Sequence, residues 1–316
     1  MPTVAGRHRI AAELGGPLRA PAVAIGNFDG VHLGHRALLA EARRLACLSG
    51  GQTVALTFDP HPAHFLAPSL APPMLSTLGR RIELLQEAGA EVVLIEPFSA
   101  DFAATSAEAF VERVLAKDIG TRHVVVGADF SFGQHRRGNA ALLASLAGPL
   151  GMGVSIVPPV AASGLLCSST KIREFVLEGR VEGANLLLGR PFEIDGTVVA
   201  GCGRGQTLGV PTANLAPEGE ILPKPGVYAG RACRLDGEHS CFAAAISIGT
   251  NPTFGQESDR ELTVETHLLD FRGELLGCRL RLAFVARLRE QRRFAKVEDL
   301  VTAIERDIAR TREICT

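Results

Sequence analysis

The chain has 316 residues, 46% hydrophobic and 21% charged, with 33 Lys+Arg against 34 Asp+Glu for a formal net charge of −1. That length favours two domains, each large enough to bury a core without disulfide or metal staples. The even charge balance removes the basic footprint of a nucleic-acid binder and of a membrane-surface anchor, and the apolar content excludes a disordered chain. Seven cysteines (Cys47, Cys167, Cys202, Cys233, Cys241, Cys278 and Cys315) form an odd, scattered set without a C-x-x-C pair. Such a set predicts reduced thiols and argues against both a disulfide framework and a zinc site. The N-terminus lacks an apolar h-region and no run approaches about 18 apolar residues, so a cytoplasmic protein is expected. Trp is absent and Tyr228 is the single Tyr. A flat ring ligand therefore has to be held mainly by Phe, aliphatic side chains and backbone.

In chain order, short apolar runs alternate with helical patterns through the first half. Pro21–Gly26, Thr53–Phe58, Glu91–Glu96, His123–Gly127 and Val154–Val157 read as buried strands. Between them, Arg36–Leu48, Arg80–Ala88, Ala107–Lys117 and Asn139–Leu146 read as amphipathic helices. This alternation predicts βαβ units and a parallel sheet, with functional loops at the carboxyl ends of the strands.

The pattern changes near residue 190. Phe192–Ala200, Gly226–Leu235, Cys241–Ile248, Leu262–Phe271 and Cys278–Leu288 are β-runs separated by Gly- and Pro-rich turns. They predict an antiparallel sandwich or a small barrel, closed in sequence by an amphipathic helix over Lys296–Arg310. The expected boundary falls at Leu186–Arg190, dividing the chain into residues 1–185 and 186–316.

The strongest local signal is Gly26-Asn27-Phe28-Asp29-Gly30-Val31-His32-Leu33-Gly34-His35. It follows a predicted strand and opens a predicted helix. Gly26 and Gly30 let the backbone approach a ligand, and the helix N-terminus offers unpaired N–H donors to an anion. His32 and His35, with small Gly34 between them, can both address that anion. A strand–turn–helix with two surface histidines is the bland reading, but H-x-G-H at this junction is the signature of nucleotidyl transferases that cleave between the α- and β-phosphates.

Further segments suit the same chemistry. Cys167-Ser168-Ser169-Thr170-Lys171-Ile172-Arg173 begins a helix, with Ser169 or Thr170 as the expected N-cap; its hydroxyls, Lys171 and Arg173 can hold a leaving pyrophosphate. Asp59-Pro60-His61-Pro62 and Gly127-Ala128-Asp129-Phe130-Ser131-Phe132-Gly133 each follow a strand and so line the carboxyl edge of the sheet. Phe130 and Phe132 either border a ring or pack into the core.

In the β-rich half, Gly201-Cys202-Gly203-Arg204-Gly205 is followed by Leu208-Gly209-Val210-Pro211 rather than by a helix, so a dinucleotide-loop reading fails, and no Walker A sequence exists. In Pro211-Thr212-Ala213-Asn214, a hydroxyl and an amide oxygen suit a magnesium ion that also meets phosphates; as isolated residues both suit a turn. In Val264-Glu265-Thr266-His267, strand alternation puts Glu265 and His267 on one face. A Glu there implies solvent, an ion partner or catalysis.

Taken together, GNFDGVHLGH, TFDPHP, VGADFSFGQHRRG, SSTKIR, LLGRPF, GRGQTLGVPTANL, GVYAG, NPTFG, VETHLLDF and LREQRRF resemble, in order and over nearly the whole chain, the prokaryotic bifunctional riboflavin kinase/FAD synthetase family. The resemblance implies a Rossmann-like α/β nucleotidyltransferase domain over 1–185, then a small antiparallel riboflavin-kinase β-barrel with a C-terminal helix over 186–316. It implies two ATP- and Mg2+-dependent steps, from riboflavin to FMN and from FMN to FAD. His32 and His35 would steady ATP's phosphates, with Gly26, Asn27, Phe28, Asp29, Gly203 and Gly209 also on ATP. Ser169, Thr170 and Arg173 would hold the pyrophosphate. Thr212 and Asn214 would hold magnesium, and Glu265 would be the general base. Asp59, His61, Asp129, Phe130, Phe132 and Arg289 would border flavin. Small departures are Cys167 for a branched aliphatic residue, Asp59 for a Glu and Arg81 for a Lys.

Two other readings remain at this point: a transferase acting on another phosphate with the barrel as a clamp, and a flavin-binding regulator with inactive sites. PTAN together with VETH does not fit the first, and the intact His32, His35, Thr212, Asn214 and Glu265 count against the second.

Overall fold

Strands that are apolar at every position have to be covered on both faces, and the N-terminal part of the chain meets that demand with helices. A computed structural model describes residues 3–6, 16–201, 210–237, 240–250, 262–292 and 294–315. The chain forms two compact units, Met1–Pro72 with Leu78–Cys167, and Pro73–Thr77 with Ser168–Thr316.

In the first unit, β1 (Thr3–Gly6), β2 (Ala22–Ile25), β3 (Thr53–Asp59), β4 (Val92–Pro97), β5 (His123–Gly127) and β6 (Gly153–Val157) form one parallel sheet in the order β1-β4-β3-β2-β5-β6. Five of these are the strands read from the sequence; β1, only four residues long, carries no such signal. Alternation sends Val23, Ile25, Val54, Leu56, Val124 and Val126 to one face, against Phe110, Val111 and Leu143. The other face carries Ala22, Ala24, Ala55, Val93 and Val125, against Leu38, Leu39, Leu84 and Leu85. The helices involved are α1 (Leu33–Ser49) and α2 (Leu78–Glu87) on the second face, and the π-helix Phe110–Ile119 and α3 (Ala140–Ala147) on the first. The result is a three-layer α/β unit.

The second unit starts with α4 (Ser169–Leu177) and α5 (Val181–Leu188). Six antiparallel strands follow: β7 (Phe192–Val199), β8 (Ala213–Pro217), β9 (Gly226–Arg234), β10 (Cys241–Thr250), β11 (Leu262–Leu268) and β12 (Arg279–Arg289). They close as β7-β8-β11-β10-β9-β12, so the open choice between sandwich and barrel falls to the barrel. Its interior is filled by Tyr228, Phe192 and Phe284, with Tyr228 edge-on to Phe284 at 5.5 Å between ring centroids. α6 (Val297–Cys315) ends the chain. α5 is fastened to the barrel by Asn185, whose Nδ2 donates to the carbonyls of Phe284 and Val285 at 2.9 and 3.2 Å and whose Oδ1 accepts from the Phe192 N–H at 2.7 Å. Glu182 accepts from the Arg287 N–H at 2.9 Å.

Two expectations need correction. The thiols are not all reduced, because Cys233 and Cys241 form a disulfide. These residues lie opposite one another in the β9–β10 register, a pairing invisible in linear spacing. Cys47, Cys167, Cys278 and Cys315 are free, and Cys202 lies outside the described residues. The cap of α4 is Ser168, not Ser169 or Thr170; its Oγ accepts from the Lys171 N–H at 3.2 Å.

The barrel unit also buries a carboxyl group in an acidic setting. Asp195 is held bidentately by Arg281, at 2.7 Å for both bonds, and its N–H donates to Glu220 Oε1 at 3.0 Å. Glu220 Oε2 is buried without a partner. Burial pushes the Glu220 carboxyl up to about 7, hydrogen bonds from backbone N–H groups oppose the rise, and the neighbouring Asp195 and Glu218 add to it. A raised carboxyl stabilises the fold below its unfolded value and loses that stability as pH rises towards 7. Glu220→Gln keeps the acceptor for Asp195 and removes the titration. The variant should therefore be more stable than wild type at pH 8, by at most on the order of 3 kcal/mol, and melt higher, with the gap closing towards pH 4.5. Parallel pH profiles of melting temperature for the two proteins would show that Glu220 does not titrate in this range.

Candidate active sites

In the first unit, chain connections run from β2 outward through β3 and β4 on one side, and β5 lies on the other side of β2. The crevice at such a reversal, beyond the carboxyl ends of β2 and β5, is where open α/β sheets bind ligands. Gly26–His35 follows β2 and Gly127–Gly133 includes the end of β5, so topology brings two of the predicted segments to one place.

The turn after β2 is tightly built. Phe28, Gly30 and Val31 have φ of 53°, 76° and 38°, a left-handed backbone that costs energy at Phe28 and most at β-branched Val31. Burial of Phe28, Val31 and Asp29, each at most 1% exposed, holds that conformation. A Cβ at Gly26 would stand 3.2 Å from the Phe28 ring. His32 is the N-cap of α1 and accepts through Nδ1 from the His35 N–H at 3.3 Å. The two imidazoles stack at 3.6 Å with 18° between planes, and Phe28 meets His35 edge-on at 5.2 Å. A Cβ at Gly34 would lie 3.0 Å from His32 Cε1, so any larger residue there would press on the imidazole. Burial holds His35 well below its ordinary value, and His32 and Arg81 reinforce this, so His35 is neutral near pH 7. Its Nδ1 is buried without a partner. The pair is therefore a stacked, partly dehydrated donor set at a helix N-terminus, suited to polyphosphate.

Asn27 is used through its backbone, with its carbonyl accepting from Thr57 Oγ1 at 3.1 Å and from Arg81. Asp59 ends β3, and His61 Nδ1 accepts from the Ala63 N–H at 3.2 Å, capping the short helix Pro62–Leu66. Asp129 is exposed, with its Oδ1 2.9 Å from where a Gly127 Cβ would stand. Phe132 packs in the core, 8% exposed and with its ring centroid 5.4 Å from that of Phe110. Phe130, half-buried and stacked on Phe132 at 5.3 Å, keeps accessible surface.

Ser169, Thr170 and Arg173 belong to the second unit, on the first turns of α4. Arg173 is 9% exposed and its Nε donates to the Pro73 carbonyl at 2.7 Å. Lys171 pairs with Glu174 at 2.7 Å.

In the barrel, the expected spacing becomes a site through register. Asn214 on β8 lies directly opposite Glu265 on β11, which in turn faces Ser247 on β10. Val264, Thr266 and Leu268 are buried while Glu265 and His267 are half-buried, so the latter two are on the outer face. Thr212 immediately precedes β8 in the chain and is half-buried. His267 Nδ1 is 2.8 Å from the Pro211 carbonyl, tying β11 to the start of the P-T-A-N segment. Gly201 lies so close to the Asn214 side-chain amide that no Cβ fits there. Hydroxyl, amide and carboxylate oxygens on one face are the hard donors magnesium takes. Gly203 and Gly209 lie outside the described residues. Arg289, at the end of β12, is held by Asp307 of α6, with its Nη2 2.8 Å from Asp307 Oδ2. Asp307 gave no sequence signal; only the helix docking makes it a partner.

Family models for FAD synthetase and riboflavin kinase match residues 17–171 and 188–315 respectively. The chain is 36% identical to a bifunctional riboflavin kinase/FMN adenylyltransferase from Pseudomonas fluorescens, covering 99% of this chain and 98% of that one. The corresponding protein of Listeria monocytogenes is 38% identical, covering 92% and 91%, and that of Escherichia coli K12 is 33% identical, covering 99% and 97%. A solved structure from Streptococcus pneumoniae, described as a macrolide-efflux protein, superposes with a TM-score of 0.82 at 30% identity, covering 93% and 94%. Among the described residues, no helix of this chain is long and apolar enough to cross a membrane. Two matched domains in tandem, with relatives alike over almost their full length, make this chain a member of the bifunctional riboflavin kinase/FMN adenylyltransferase family.

Proposed function

We propose that the chain phosphorylates riboflavin to FMN at the outer face of the barrel and adenylylates FMN to FAD at the crevice of the parallel sheet, releasing pyrophosphate. The observation that carries this reading is the tandem family match, each half of which holds its own constellation of polar residues. ATP is the phosphoryl donor in one step and the adenylyl donor in the other. The working location is the cytoplasm, and the partners are small molecules rather than nucleic acid.

In the kinase step, Glu265 accepts the proton of the terminal ribityl hydroxyl as that oxygen attacks the γ-phosphorus and the bond to the β,γ-bridging oxygen breaks, releasing ADP. Thr212 and Asn214 would hold Mg2+, which would neutralise phosphate charge. The register of Asn214 opposite Glu265 supports this pairing of roles. Arg289, fixed by Asp307, borders the flavin with α6. In the adenylyl step, an FMN phosphate oxygen attacks the α-phosphorus while His32, His35 and the N–H groups of the turn steady the polyphosphate. Positioning and charge stabilisation supply most of the rate, with no covalent intermediate. The resemblance assigns the departing pyrophosphate to Ser169, Thr170 and Arg173, and the flavin edge to Asp59, His61, Asp129, Phe130 and Phe132.

Incubation of the purified chain with riboflavin and Mg-ATP, followed by chromatography of the flavins, should show FMN and then FAD. Finding neither overturns the reading. The division of labour predicts that residues 186–316 suffice for FMN formation without FAD. That fragment lacks the three Asn185 hydrogen bonds, at about 1 kcal/mol each, so a fragment starting at Ser168 should melt higher and remain equally restricted to FMN. A folded barrel fragment inert towards riboflavin would refute the assignment of the kinase to this half.

A further inference from the structure

α2 places two adjacent arginines in contrasting settings. Arg80 pairs with Glu83 and Glu87 at 2.8 and 2.7 Å. Arg81 is turned the other way and is 2% exposed. Its Nη1 donates to the carbonyl of Phe58 at 3.1 Å and to that of Asn27 at 3.4 Å. Those carbonyls stand at the end of β3 and inside the turn that follows β2. One guanidinium therefore bridges two loops of the crevice that β-ladder bonds do not join. Its Nε is buried and has no partner. Burial lowers the Arg81 guanidinium from its ordinary value, and the carboxylates of Asp29 and Asp59 work against that. Burying a cation whose hydrogen bonds go to backbone carbonyls is costly, even with carboxylates acting on it.

We propose that Arg81 is a positioning residue of the adenylyl-transfer site, locking the turn that carries His32 and His35 to the end of β3 and setting the charge around the histidine pair. The inference rests on the assignment of adenylyl transfer to this crevice. It names a residue that does not touch substrate and acts through the turn and through His35. The groups acting on His35 are His32, at the cap of its own helix, and Arg81 from α2, with Asp29 and Asp59 beside Arg81. The positive charge of Arg81 disfavours imidazolium at His35, so the ring stays neutral as phosphate charge approaches. Removing that charge raises the His35 pKa and moves the acidic limb of the rate profile to higher pH.

The test measures conversion of supplied FMN and ATP to FAD by the full-length chain between pH 5 and 9 (roughly spanning the histidine range), with riboflavin phosphorylation as a second readout. Arg81→Gln should lower kcat for FAD formation on the order of 10²-fold, as misplacement of a reactive geometry does, and shift the acidic limb upwards. Riboflavin phosphorylation by the same sample should match wild type, which also shows that the protein is folded. Arg81→Lys keeps the charge and loses the two-carbonyl bridge, so it should show reduced kcat with the limb unmoved. If Arg81→Gln fails to fold, Arg81→Lys decides alone: wild-type kcat across the range overturns the proposal. A lower kcat with an unshifted limb in Arg81→Gln overturns it as well, since that is what a merely structural arginine produces. If the wild-type chain itself makes no FAD from FMN, the assignment of the crevice has failed instead.

Discussion

Glu265→Gln is expected to lower riboflavin phosphorylation by roughly 10²–10⁴-fold while supplied FMN is still converted to FAD. Glutamine keeps the size and the hydrogen-bonding reach of the side chain and removes only its ability to take a proton. Glu265 sits on the outer face of β11, between Asn214 on β8 and Ser247 on β10, so its loss leaves the buried Val264, Thr266 and Leu268 undisturbed. Stability should change little, as for a surface substitution. The assay must supply riboflavin and FMN separately at equal folded enzyme. Kinase activity near that of wild type would make Glu265 a structural carboxylate and put the base elsewhere.

His32→Ala is expected to have the opposite outcome, with FMN accumulating from riboflavin and little FAD formed. His32 does two jobs, and the variant removes both. It caps α1 through the 3.3 Å bond from the His35 N–H, and its ring stacks on His35 at 3.6 Å. Loss of the cap costs about 1 kcal/mol of stability. Loss of an aligned donor at developing phosphate charge costs on the order of 10²–10³-fold in rate. His32→Asn separates the two, because asparagine is a strong N-cap without an imidazole. It should regain the melting temperature and remain impaired in FAD formation. Recovery of FAD formation by His32→Asn would show that His32 acts only as a cap. Equal losses in both reactions for His32→Ala would point to global destabilisation.

The strand–helix alternation was legible because the apolar runs 53–58 and 91–96 have no polar face, a pattern suited to a covered parallel sheet. The turn G-N-F-D-G-V-H-L-G-H was legible for a related reason. Its glycines and histidines act within ten consecutive residues, so local chemistry and position between strand and helix define it. The V-E-T-H face followed from strand alternation alone. β8 was missed as a strand because P-T-A-N has the composition of a turn, and its pairing with β7 and β11 overrides that preference.

What the sequence by itself determined is the order of elements, the two-domain plan, the glycine- and histidine-rich turn after the second strand and the residue types on the outer face of the barrel, since each depends on neighbours in the chain. Tertiary structure alone decided the strand order that puts the turn after β2 beside the end of β5, the register that sets Asn214 against Glu265 and Cys233 against Cys241, and the burial of Arg81 between two loops. Register and burial come from contacts between residues far apart in the chain, and the charge state of a buried side chain depends on which distant groups surround it.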